Sequence, residues 1–125
     1  MEVIDITKLY SNYSQNEQNK IQELIDLIES VAEELTIELT PSLKWNQLSF
    51  SCKYGTPIRV DRFSEDTIGI FVHCQTTLVD EWRDMFGTTM NFSKTRAILL
   101  DSNAQLPRDE LKMCIQMALN YKKRN

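Results

Sequence analysis

His73 and Cys74 stand side by side in the run Ile68 to Phe86, and a cysteine beside the chain's one histidine is the first place to look for nucleophilic chemistry. A thiol attacks when a base removes its proton, and that base must itself be held in place. The spacing argues against such a couple here. Ile68, Ile70, Val72 and Cys74 alternate along one face of a predicted strand, so His73 and Cys74 should point to opposite faces unless a bulge intervenes. Cys74 is therefore expected in the core. The sequence contains no GxSxG, HExxH, P-loop or GxGxxG pattern, so enzymatic activity finds no support in a motif.

A second chemistry-bearing group is acidic. Glu23, Asp26, Glu33 and Glu34 fall on one arc of a predicted helix, where carboxylate oxygens could bind a hard or borderline cation weakly. An acidic arc opposite an apolar one is equally what any solvated amphipathic helix shows.

Several elements must position these residues. Ser14-x-x-Glu17 is a capping box, and Ile21, Leu24, Ile25, Ile28, Val31, Ala32 and Leu35 then recur at intervals of three and four, which predicts a long helix ending before Pro41. Leu9, Tyr10 and Tyr13 precede it in a short helix or an extended segment. Leu48, Phe50 and Cys52 alternate with polar residues, Gly55 supplies a turn, and Ile58 and Val60 return, so these two strands and a third over Thr67 to Cys74 make a meander. Thr77-x-x-Asp80 should cap a short helix bearing Leu78, Val79, Trp82, Met85 and Phe86, with Gly87 at its end. Strands follow at Thr89 to Phe92 and Thr95 to Asp101. Pro107 opens a last helix with Leu111, Cys114, Ile115, Ala118 and Leu119 inward.

This order, α-β-β-β-α-β-β-α, predicts an α+β fold: a mostly antiparallel five-stranded sheet with two long helices on one face. The other face would present Ser49, Ser51, Arg59, Asp61, Phe71 and His73. No linker or repeat divides the chain, which places a single domain on residues 14–122. Three dispersed cysteines argue against a disulfide framework and for small, reduced, buried residues. There is no apolar run of membrane-spanning length and no leader pattern, so a cytoplasmic protein without a membrane partner is expected. Lys20 is the only base within residues 14–40, whereas bases outnumber acids beyond Pro41. A net charge of -4 without a basic stripe argues against nucleic acid as a partner.

Five short pieces occur in an order that resembles the YdhG-like family of domains of unknown function. They are Leu43-Lys44-Trp45-Asn46 before Ser49-Phe50, Gly55 with Ile58-Arg59, Cys74-Gln75-Thr76 before Leu78-Val79, Arg96-Ala97-Ile98, and Ala118-Leu119 with Tyr121. Leu48 stands where relatives commonly carry Pro, and Lys122 follows Tyr121 where many carry His. The resemblance implies a small bacterial cytosolic protein with a frataxin-like α+β sandwich, and no established reaction. It also implies an alternative role as an iron-binding chaperone, with Glu23, Asp26, Glu33 and Glu34 as the weak metal surface and no other cofactor.

The family pattern draws Trp45, Asn46, Arg59, Gln75, Thr76 and Arg96 together at the strand-to-helix junction. Helix N-termini attract anions and arginine grips carboxylates or phosphates in parallel pairs of bonds, so a small anionic ligand could bind there with Trp45 as a wall. The competing arrangement pairs both arginines with Asp61, Asp66 or Asp101 and buries Trp45. On either arrangement the expected function is a ligand- or protein-binding module, and the uncovered sheet face also allows a homodimer.

Overall fold

The structure, a computed structural model, describes residues 6–44 and 47–124. Ser14 starts the long helix as its spacing predicts. Its hydroxyl accepts the Glu17 amide at 3.1 Å while the Glu17 carboxylate accepts the Ser14 amide at 2.8 Å, a reciprocal cap on α2 (Gln15–Glu34). Ile21, Leu24, Ile25, Leu27, Ile28, Val31 and Ala32 turn inward from it. A short helix, α1 (Ile6–Leu9), comes first, and Ile6 and Tyr10 join the same core upstream of Ser14.

The α+β class holds, but the sheet has six strands where five were expected. They are β1 (Thr40–Lys44), β2 (Gln47–Ser51), β3 (Ile58–Ser64), β4 (Thr67–Phe71), β5 (Asn91–Ser93) and β6 (Ala97–Asp101). All pair antiparallel, in the order β1-β2-β3-β4-β6-β5. The added strand, β1, has no sequence alternation to announce it because Pro41 and Ser42 interrupt it. At a sheet edge a proline's missing N–H leaves no inner partner unserved, which is where proline is tolerated in strands. The strand expected to reach Cys74 stops at Phe71, and the two before the last helix shorten to Asn91–Ser93 and Ala97–Asp101.

The even-numbered positions Leu48, Phe50, Ile58, Val60, Ile68, Ile70, Ile98 and Leu100 form the buried face against the helices. That helix layer contains three members rather than two, because α3 (Leu78–Phe86) packs on α4 (Arg108–Leu119) and sinks Trp82 into the core. Thr77 precedes α3 without capping it: its hydroxyl donates to Glu81 Oε2, 2.7 Å away, instead of accepting an amide. The turn between β2 and β3 docks under the end of α4, where the Thr56 amide reaches the Ala118 carbonyl at 3.0 Å. Only glycine fits at position 55, since a Cβ there would lie 2.8 Å from that same carbonyl oxygen.

Two contacts fasten the N-terminal segment to the sheet. The Tyr10 hydroxyl sits between β2 and β3, accepting the Leu48 amide at 3.1 Å and donating to the Val60 carbonyl at 2.7 Å. Leu48 and Val60 are the last paired residues of that ladder, so the phenol closes the gap where the strands part. Glu17 makes the other contact. It is 3% exposed, and its second oxygen accepts the Asp66 amide at 2.8 Å and lies 3.2 Å from Arg62 Nε. Asp66 adopts φ 63 in the β3–β4 turn, a left-handed conformation that Asp tolerates better than most residues.

Removing the Tyr10 hydroxyl leaves a buried amide and a buried carbonyl without partners. Tyr10→Phe should therefore lower unfolding stability by about 2 kcal/mol in urea titrations, with little change in the m-value. Burial opposes the charge on Glu17, but the amides of Ser14 and Asp66 and the Arg62 guanidinium outweigh it and hold the carboxyl below its ordinary range. A carboxylate with a depressed folded pKa contributes its full stability above the unfolded value of about 4.3 and loses it as pH falls through the folded value. Glu17→Gln should thus destabilise the protein at neutral pH, and the gap from wild type should narrow as urea titrations are repeated at lower pH.

Candidate functional site

His73 and Cys74 lie in the turn between β4 and α3, and both are exposed. The expectation that Cys74 points into the core is overturned because the strand ends before it. Local bonds replace the ladder: the Thr76 amide and hydroxyl both donate to the His73 carbonyl, at 3.0 and 2.9 Å, and the Gln75 amide donates to His73 Nδ1 at 3.2 Å. An imidazole nitrogen accepting an amide does not take a thiol proton. Cys52 is half-buried and donates to the Leu119 carbonyl, whereas Cys114 is buried and its thiol is pushed up to about 12, chiefly by burial. Neither is placed as a nucleophile.

The sheet face turned away from the helices carries a more distinctive arrangement, built on the odd-numbered positions. Ser49, Arg59, Phe71 and Ala97 lie in one row across β2, β3, β4 and β6, with Asp61, Gly69 and Leu99 in the next row that β3, β4 and β6 share. Phe71 folds back over Gly69, whose added Cβ would come within 2.7 Å of the ring. The face expected to be uncovered is closed to solvent at Ser49, Asp61 and Ala97, which are 2%, 8% and 0% exposed.

Asp61 is consumed internally. Its carboxylate accepts the Tyr13 hydroxyl at 2.6 Å, the Arg62 amide at 2.7 Å and the Gln47 side-chain amide at 2.7 Å. Burial together with this bond to Asp61 raises the Tyr13 phenol well above its usual range, so it remains a donor. Tyr10, stacked on it with centroids 5.0 Å apart, is pushed up to about 12 mainly by burial. Because Asp61 can only accept, it fixes the NH2 end of Gln47, and the amide oxygen is left to receive Arg59 Nη1 at 3.3 Å. A neutral amide thus stands where a counter-ion would, and Arg59 forms no ion pair among the described residues.

Of the residues expected around a small anion, Trp45 and Asn46 lie outside the described residues. The others reach one end of the sheet. Arg59 pairs with Phe71, and the exposed Arg96 receives the Val72 amide on its carbonyl at 2.8 Å, so the two arginines flank the end of β4. Arg96 also forms no ion pair among the described residues, so the expected alternative of pairing with Asp61, Asp66 or Asp101 is not what the side chains do. The junction amides, however, are already engaged: those of Gln75 and Thr76 by His73, and that of Thr77 by the Tyr121 hydroxyl at 3.3 Å. Of the expected groups at this end of the sheet, the guanidinium groups of Arg59 and Arg96 are the ones left without a charged partner among the described residues.

The acidic ridge of α2 is spread along the helix. Glu23 pairs with Lys20 and Glu34 with Lys112, each at 3.5 Å, while Asp26 accepts Gln22 at 2.8 Å and Glu33 is exposed. Among the described residues no three of His, Cys, Asp and Glu are grouped to hold a metal ion. No described helix is long and apolar enough to cross a membrane.

Sequence reasoning missed Tyr13, Gln47 and Asp61 as the group that sets Arg59. Tyr13 lies in the short segment before α2, and nothing in its spacing announces a partner 48 residues away. Asp61→Ala strands three donors at once and should cost about 3 kcal/mol in urea unfolding, whereas Asp61→Asn keeps two acceptor lone pairs and should cost less. Comparisons of the chain with protein-family models, with curated proteins and with solved structures found no match.

Proposed function

We propose that the chain is a binding module whose working surface is the helix-free face of the sheet, with Arg59 as the group that recognises an anionic partner. The observation that carries this reading is the uncompensated guanidinium. Asp61 sits two positions along the same strand, yet Gln47 stands between it and Arg59, so the cation is steadied without being neutralised. A carboxylate or phosphate arriving from outside can then make the charge-assisted pair that the fold leaves unmade. Phe71 lies beside Arg59 on the neighbouring strand and offers an apolar surface to the body of the same partner.

Binding is favoured over catalysis because His73 and Cys74 are not arranged as base and nucleophile, and Asp61, two positions along from Arg59, is held by Tyr13, Gln47 and the Arg62 amide. Titration of 15N-labelled protein with inorganic phosphate and with benzoate should shift amide resonances around Arg59, Phe71 and Ala97. Benzoate should extend the effect to Gly69 and Leu99. Arg59→Ala should abolish both responses while leaving the rest of the spectrum in place. A wild-type protein with no shifts on this face, or an alanine variant with unchanged shifts, would show that the surface does not recognise anions.

A further inference from the structure

The apolar side chains of the helix-free sheet face form a strip apart from the cluster under the helices. Phe71 pairs with Ala97 and Gly69 with Leu99 across β4 and β6; Phe71 and Leu99 are half-buried and Ala97 beside Phe71 is fully buried, all three outside that cluster. Charge is arranged along the strip by sign. Arg59 stands at the Phe71 end, with Arg96 just beyond it in the turn before β6, whereas Asp101 pairs with Thr67 at the other end, next to the turn that carries Glu65 and Asp66. Asp101 accepts the Asn103 amide at 2.8 Å and, like the two arginines, forms no ion pair among the described residues.

We propose that a second copy of this chain covers the face; the inference rests on the reading that this surface is where the protein binds. A two-fold axis running across the strands turns one β4 antiparallel over the other, so that the apolar strips meet and the basic end of each sheet lies over the acidic end of its partner. A surface of one sign would repel its own copy, whereas a surface with opposite ends is complementary to itself. Small residues help the approach. Ser49, Gly69 and Ala97 keep the face low around Phe71, as two sheets need if they are to pack about 10 Å apart. The anion that Arg59 accepts is then a carboxylate of the second copy.

Analytical ultracentrifugation of the full chain over a concentration series tests this, and wild type should show a reversible monomer–dimer equilibrium. Arg59→Asp sets a carboxylate against the second copy's Asp101, and Asp101→Arg sets a guanidinium against the second copy's Arg59, so each variant alone should dimerise about tenfold more weakly or worse. Mixed in equal amounts, the two should associate more tightly than either does alone, because every end again meets its opposite. Arg59→Gln and Asp101→Asn, which remove charge without reversing it, should weaken the dimer less; circular dichroism confirms that each variant is folded. A wild type that stays monomeric, or a mixture no tighter than its components, overturns the second copy as partner. If that monomer still responds to phosphate through Arg59, the binding-surface reading stands and only the partner was wrong; if it responds to neither phosphate nor benzoate, both fall.

Discussion

One buried carboxylate, that of Glu17, joins parts of the chain that no strand ladder connects. Through one oxygen it closes the first turn of α2, and through the other it holds the Asp66 amide in the β3–β4 turn and faces Arg62 from the end of β3. The position of the long helix over the sheet and the conformation of the hairpin are therefore set together. An uncompensated buried carboxylate would be strongly unfavourable, so the arrangement holds only while the amides and the guanidinium remain in place. The left-handed Asp66 is part of the same constraint, since its amide serves Glu17 and its carbonyl receives the Ser102 amide beyond β6 at 2.9 Å.

The consequence for the open face runs through the segment that α2 pulls into place. Gln18, one residue past Glu17, donates to the carbonyls of both Tyr10 and Tyr13, so the start of α2 also holds the residues before it. Tyr10 then seals the end of the β2–β3 ladder, and Tyr13 takes Asp61 out of contention as a counter-ion for Arg59. A change in the N-terminal segment thus alters the charge presented on the far side of the sheet without either element touching a partner. Stability and the charge of the open face draw on the same hydrogen bonds.

What could be read in the sequence was what depends on local periodicity. The Ser14–Glu17 box, the apolar repeat of α2, the turn at Gly55 and the alternation through Ile58, Val60, Ile68 and Ile70 each declare themselves within a few residues. Strand β1 did not, because an edge strand buries too little to impose alternation, and the turn after Phe71 did not, because Cys74 continues the apolar pattern beyond the point where His73 and Thr76 bond locally instead. The site was legible only in part. Arg59 and Arg96 could be singled out by type, but the absence of a counter-ion depends on Tyr13, Gln47 and Asp61 meeting across long separations, which no spacing encodes.

The parity of β3 explains why that absence is stable. Arg59 and Asp61 point to the same side of one strand, two positions apart, which is close enough for a surface ion pair worth little in water. Burying Asp61 under three donors removes it from that weak competition, because leaving a half-buried phenol, amide and side-chain NH2 without their acceptor would cost more than the exposed pair would return. Gln47 then converts a fixed negative charge into a neutral oxygen aimed at the guanidinium. The cation is held in position by a bond too weak to satisfy it, which is the state in which an arginine on an open sheet face gains most from a carboxylate that arrives with its own apolar surface to bury.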